Sequence, residues 1–242
     1  MLLSIVVPCY NEGETCLNAM LKLTEYLDKK YPNNYEVIFV DDGSKDNTRI
    51  WMEESIKKFP NKGRIVAYDQ NKGKGYAVRQ GLKAAKGKYV CYLDTDMATD
   101  LRFIEHAVVF IEGNKADIVM GTRRHEKSVT NESSNAIRQF VSKGCVFCTK
   151  IILPELNFTD TQCGCKMIRK EVIDSIANDL TVDGFSFDLE ILVRAIRKGY
   201  RVMEIPIVWN NRDNGSKVNI IKDSIRVFSD MFYIRKETKN AK

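Results

Sequence analysis

Lys88-Tyr89-Val90-Cys91-Tyr92-Leu93-Asp94-Thr95-Asp96 is the stretch that decides the fold of this chain. Its apolar run stops abruptly at two carboxylates one residue apart. A short, continuously apolar strand is what a parallel sheet covered on both faces requires. Four further runs of this kind lie at residues 3–8, 35–40, 63–68 and 117–121. Helical patterns fill the intervals, at 15–30, 46–59, 74–85 and 101–112. In the first of these, Leu17, Met20, Leu21, Leu23, Thr24 and Leu27 recur at i, i+3, i+4 and i+7, marking one buried face. Strands alternating with helices predict right-handed crossovers and an α/β fold, with a Rossmann-like, mainly parallel central sheet flanked by helices.

The second half changes character. It reads as a helix over 131–153, a polar, cysteine-containing loop over 157–166, helices over 170–178 and 187–198, a strand over 202–209 and a terminal amphipathic helix over 218–235. With no internal repeat, low-complexity tract or linker, the expectation is a single domain over 1–236, followed by a polar tail at 237–242.

Composition narrows the function classes. The 242 residues carry a net charge of +6, with acidic residues interleaved among the basic ones. That balance does not describe a nucleic-acid surface, and it suits anionic ligands such as phosphates or acidic lipid headgroups. Seven cysteines, an odd number in mostly apolar surroundings, and an N-terminus too short for a secretory signal point to reduced thiols and a cytoplasmic location. No apolar run approaches the roughly 18–20 residues that span a bilayer, so the chain is expected to be soluble or peripheral at the cytoplasmic membrane face.

Ligands of open parallel sheets bind beyond the carboxyl ends of the strands, near a switch in strand order. Here those ends read Pro8-Cys9-Tyr10-Asn11-Glu12, Asp41-Asp42-Gly43-Ser44, Asn71-Lys72-Gly73-Lys74-Gly75, Asp94-Thr95-Asp96 and Gly121-Thr122-Arg123-Arg124. Five consecutive strands thus aim polar groups at one edge. Asp94 and Asp96 repel each other, and a hard divalent cation relieves this by taking oxygens from them and from a diphosphate. The competing reading is a turn followed by a cap at Thr99 or Asp100; the other strand ends favour a site. Asp42 is the preferred ligand of a base or ribose, against a plain βα turn with Gly43 in a special conformation. Glu12 is a ribose candidate, or merely an acid at a helix N-terminus. Gly73-Lys74-Gly75 lacks the spacing of a nucleoside-triphosphatase loop and reads as a positive turn near a diphosphate, or as a solvated turn. Cys145, Cys148, Cys163 and Cys165 have the count of a zinc site, but the first pair lies in an apolar helical pattern, where core packing competes. Neither His106 nor His125 has ligand spacing, and no serine-hydrolase elbow or dinucleotide fingerprint occurs.

The strand-end motifs, with Ile5-Val6-Val7 before the first and Lys45-Asp46-Asn47-Thr48 after the second, resemble those of family 2 glycosyltransferases and occur in the same order. Asp160-Thr161-Gln162-Cys163-Gly164-Cys165-Lys166, Ser186-Phe187-Asp188-Leu189-Glu190, and Trp209 followed by Gly215-Ser216-Lys217-Val218 are similar to the dolichyl-phosphate β-glucosyltransferase and polyprenyl-phosphate glycosyltransferase group within it. The resemblance implies a GT-A fold, a UDP-sugar donor with glucose favoured, inversion at the anomeric carbon, a polyprenyl or dolichyl phosphate acceptor, and Mg2+ or Mn2+ as cofactor. It implies a nucleotide-sugar-binding half at 1–124 and an acceptor-binding half at 125–236. It assigns Pro8, Tyr10, Glu12 and Asp42 to the nucleoside, Asp94 to the ribose or sugar, and Asp96 to the metal; Lys72 is a further donor-binding candidate. Ala98 stands where mannose-phosphate synthases often carry Gln, which agrees with a glucosyl type.

A phosphate acceptor is already ionised near neutral pH, so the protein must chiefly align two anions and offset their repulsion. Arg123, Arg138 and Lys217 are the candidates, with surface solvation competing for each. A glycan hydroxyl would instead need a base, for which Asp160, Asp188 and Glu190 are available. A non-catalytic nucleotide-sugar-binding protein is a third reading, disfavoured by the acid pair. Ile221, Ile225, Phe228 and Phe232 share one face of the terminal helix. They suit either a membrane surface or packing on the domain or on a second copy in a homo-oligomer.

Overall fold

A computed structural model of the chain describes residues 1–131, 136–210 and 220–239, and the backbone alone at 131, 136–143 and 220–223. The first half follows the alternation: β1 (Leu3–Cys9), α1 (Thr15–Lys30), β2 (Tyr35–Asp42), α2 (Thr48–Lys58), β3 (Gly63–Tyr68), α3 (Lys74–Ala84), β4 (Tyr89–Leu93), α4 (Arg102–Glu112) and β5 (Ile118–Thr122). β2, β4 and β5 are buried at every residue, so continuous apolar runs rather than alternation encode them. α1 buries Cys16, Ala19, Met20, Leu23, Thr24 and Leu27 on the sheet. Each large apolar side chain so placed contributes roughly 1.5–3 kcal/mol.

The second half continues with β6 (Val129–Asn131), α5 (Ala136–Ile152), β7 (Cys165–Arg169), α6 (Lys170–Ile176), α7 (Phe187–Arg197), β8 (Val202–Pro206), β9 (Val208–Asn210) and α8 (Ile220–Thr238). Strand order in the main sheet is β3-β2-β1-β4-β7-β5-β8. All its pairings are parallel except those of β7, which lies antiparallel between β4 and β5.

This corrects three expectations. The loop read over 157–166 ends in β7, a central strand that local composition disguises, because Lys166 and Arg169 fall among its five residues. The single strand read over 202–209 is two: β8 completes the main sheet, while β9 pairs with β6 in a separate two-stranded sheet. The polar tail begins later than residue 237, because Thr238 is buried, donates to the Ile234 carbonyl and accepts from Arg197 Nη1 at 2.7 Å.

The core lies in two layers. α1, α2 and α4 cover one face with Met20, Leu23, Met52 and Phe103, and α3 and α5–α8 cover the other with Leu82, Ile152, Val172, Leu189 and Met231. Strand order turns between β1 and β4, and a crevice at such a turn is where ligands bind. Among the described residues no helix is long and apolar enough to cross a membrane.

Candidate active site

Asp94, Thr95 and Asp96 leave β4 beside the end of β1. Thr95 Oγ1 donates to the Pro8 carbonyl at 2.8 Å and lies 3.3 Å from Cys9 Sγ. The middle residue is therefore tied inward, while the Asp94 side chain is 43% exposed. Asp96 Oδ1 accepts from the Ala98 amide at 3.0 Å, and Met97 between them adopts a left-handed φ of +51°. Such a conformation costs a non-glycine residue energy and persists only where its surroundings hold it. Gly164 backs the pair so closely that a Cβ there would lie 2.0 Å from Asp94 Oδ2.

β9 ties the second half of the chain to this acid loop. The Asn210 amide donates to the Ala98 carbonyl and the Asp100 amide to the Val208 carbonyl, each at 2.9 Å. Trp209 is carried between these bonds, and the Arg123 guanidinium sits 5.5 Å from its ring centroid, a cation–π geometry. Asp160 grips Arg123 through Nε at 2.7 Å, Nη2 at 2.9 Å and the backbone amide at 3.0 Å. Burial works to raise the Asp160 carboxyl, but these bonds and the Arg123 charge hold it below the usual carboxylate range. Asp160, a candidate base in the sequence, is thus a holder of Arg123 and is poorly placed to take up a proton.

The other strand ends divide in the same way. Asp42 is only 3% exposed. Its carboxylate accepts from the Lys72 amide at 2.8 Å, the Gly73 amide at 2.9 Å and Asn71 Nδ2 at 2.8 Å. Asp42, which the resemblance assigns to the nucleoside, therefore also shapes the loop from β3 to α3. Gly73 takes a φ of +106°, and a Cβ there would come 2.4 Å from the Asp183 carbonyl oxygen, so only glycine fits. Lys72, placed on the donor side by sequence, lies over the Tyr76 ring at 4.6 Å.

Lys74 is the lysine that reaches the acid pair, with Nζ 2.5 Å from Asp94 Oδ1. The sequence places it in a positive turn between two glycines, beside a diphosphate or solvated, but names Lys72 as the donor-side lysine. Tyr10 and Glu12 stand at the open end of β1, where the Glu12 amide donates to Thr48 Oγ1 at 2.8 Å. Lys217 lies outside the described residues, as does the side chain of Arg138. The four cysteines do not converge: Cys163 and Cys165, 3.6 Å apart at sulfur, belong to the core layer under α1 and α4, whereas Cys148 packs into the opposite layer.

An acid pair at a topological switch, opposed by a stacked arginine and an inward lysine, is a site for anionic groups. Residues 4–177 match the family model described as glycosyl transferase family 2. The chain belongs to glycosyltransferase family 2.

The dolichyl-phosphate beta-glucosyltransferase of Saccharomyces cerevisiae is 35% identical to this transferase over 251 residues, covering 96% of this chain and 74% of that protein. The protein of the same description from Homo sapiens is 30% identical, covering 96% and 74%. Among solved structures, glucosyl-3-phosphoglycerate synthase from Mycobacterium tuberculosis in complex with UDP superposes with a TM-score of 0.73 at 18% identity, covering 97% of this chain and 80% of that chain. The same synthase with Mn2+, UDP and phosphoglyceric acid gives a TM-score of 0.69 at 17% identity, covering 97% and 78%. The fold is GT-A, and the chain is a glycosyltransferase.

The transferase keeps its remaining acidic candidates occupied. Asp188 Oδ1 accepts from Lys166 Nζ at 2.6 Å and from the Tyr92 hydroxyl. Glu190 accepts from the Thr181 amide at 2.9 Å, the Val182 amide at 2.8 Å and Arg194 Nη2 at 2.8 Å. Both are buried.

Proposed function

We propose that the transferase moves a sugar, glucose in the preferred reading, from a UDP-sugar to a polyprenyl or dolichyl phosphate with inversion at the anomeric carbon. The observation that carries this reading is that the three carboxylates offered as bases, Asp160, Asp188 and Glu190, are each bound to a cation of the protein itself. A hydroxyl acceptor would need one of them to accept a proton, whereas a phosphate arrives ionised. The relatives named dolichyl-phosphate beta-glucosyltransferase support the same acceptor, and the UDP-bound structures of like fold support the donor.

In this reading Pro8, Tyr10 and Glu12, with the loop that Asp42 shapes, bracket the nucleoside, and Asp94 meets the ribose or sugar. The acid pair supplies carboxylate oxygens, which suit a hard cation, and Asp96 would hold Mg2+ or Mn2+, which supplies neutralisation of the leaving diphosphate. Arg123, fixed by Asp160 and Trp209, orients the acceptor phosphate, with Arg138 and Lys217 as further cations. The acceptor oxygen closes on C1 as the bond to UDP breaks on the opposite side. The protein contributes alignment and charge offset. α8 packs Val227, Met231 and Ile234 inward and leaves Ile225, Phe228 and Phe232 exposed, a stripe suited to peripheral contact with the membrane that holds such an acceptor.

Radiolabelled UDP-glucose with Mn2+, offered either dolichyl phosphate in detergent or soluble oligosaccharides, tests the reading. Label should enter the lipid fraction; label confined to oligosaccharide would replace the phosphate acceptor with a hydroxyl. Asp96→Ala should abolish transfer with an unchanged melting temperature, and full activity in that variant would remove the metal role.

A further inference from the structure

Lys166 is the charge that the chemistry above leaves unused. It sits on β7 in the middle of the sheet and is fully buried. Its Nζ donates to Asp188 Oδ1 at 2.6 Å and to the Cys163 carbonyl at 2.9 Å, and lies 5.5 Å from the Tyr92 ring centroid. A sealed ion pair is often no more stable than apolar side chains of the same volume, so stability does not explain its presence.

What Asp188 faces gives the reason. It lies in the first turn of α7, which packs on the first turn of α3. A Cβ on Gly75 would come 2.7 Å from Phe187 Cβ and 2.5 Å from the Val182 carbonyl oxygen. That contact brings Lys74, the neighbour of Gly75, towards Asp188, the neighbour of Phe187, while its ammonium bonds Asp94 on the cleft side. Burial works against its ammonium, but Asp94, Asp188 and Asp96 hold it above the usual lysine range. From core to cleft the charges alternate: Lys166, Asp188, Lys74, Asp94.

We propose that Lys166 and Asp188 are positioning residues for Lys74: Lys166 satisfies Asp188 from behind, so that Lys74 extends to Asp94 and presents a cation in the donor cleft. Without Lys166, the buried Asp188 takes Lys74 as its counter-ion and withdraws it from Asp94. The inference rests on Asp94 being a donor-site residue, but its first test requires neither donor nor acceptor.

A crystal structure of Lys166→Met should show Lys74 Nζ bonded to Asp188 and no longer to Asp94; Lys74 still on Asp94 would overturn the proposal. The kinetic test uses UDP-glucose, Mn2+ and dolichyl phosphate. Lys166→Met and Lys74→Met should each lower kcat/KM by about 10–100-fold, and the double variant by no more than about 3-fold further. Losses that multiply would make Lys166 merely structural. Should Lys166→Met fail to fold, removing both charges with Lys166→Met and Asp188→Asn should leave Lys74 on Asp94, with kcat/KM at least about 5-fold above Lys74→Met. A pair variant no better than Lys74→Met would place Asp188 on the substrate and defeat the proposal. A wild-type protein without turnover would count against the donor and acceptor reading, while the position of Lys74 would still decide this one.

Discussion

Asp94 keeps 43% of its side chain in solvent and Asp160 only 4%, although both begin polar motifs of similar appearance. The first can meet a ligand; the second is committed to Arg123. Because the folded state holds the Asp160 pKa low, its contribution to stability is complete above the unfolded value of about 3.9 and is lost as pH falls through the lower folded value. Asp160→Asn should therefore flatten the acid limb of stability below about pH 4 in denaturant titrations; an unchanged limb would deny the depressed pKa. Gly164→Ala should push the Asp94 carboxylate aside and lower kcat/KM by about 10-fold or more, with a melting temperature within about 4 °C of wild type, because the clash is with a movable side-chain end. Equal activity would place Asp94 outside the site. At this scale the sequence exposed which residue types gather at the strand ends, but not which were already engaged. The partner of Asp160 lies 37 residues away and that of Asp188 lies 22 away, and neither separation has a local signature.

The entry to α3 shows how an element positions chemistry. Gly73 and Gly75 let the loop at 182–184 press against the helix start, and the Gly75 amide donates to the Asp183 carbonyl at 2.8 Å. Gly75→Ala would drive a methyl into backbone on two sides and should cost about 1–3 kcal/mol in chemical denaturation; a neutral substitution would mean that the loop yields easily. The face of α8 named from sequence does not pack on the domain: Ile225, Phe228 and Phe232 stay exposed, the Ile221 side chain lies outside the described residues, and a different face, Val227, Met231 and Ile234, is buried. Phe228→Ser with Phe232→Ser should reduce co-sedimentation with anionic vesicles while leaving the fold intact; unaltered binding would detach α8 from any membrane role. The helices of the first half were legible because amphipathic periodicity is local. β7 was not, because a lysine in a buried strand contradicts the pattern that marks strands.

At the scale of the molecule, β7 locks the two halves into one sheet, since β4 and β5 meet only through it. Its amides should exchange with solvent only on global unfolding, so hydrogen exchange at Met167 and Ile168 should be as slow as at Val6 and Ile38; faster exchange would mean that the second half opens independently. The sequence by itself determined the alternation of strands and helices, the edge at which polar groups collect and the acid pair at the end of β4. These follow from hydrophobic periodicity and chain direction, which act over a few residues. The tertiary structure alone decided that β7 inserts antiparallel, that Asp42 and Asp160 face protein partners, and that Lys74 rather than Lys72 reaches Asp94. Each of those depends on burial and on charges brought together from distant parts of the chain, where desolvation makes pairing obligatory and leaves no local trace.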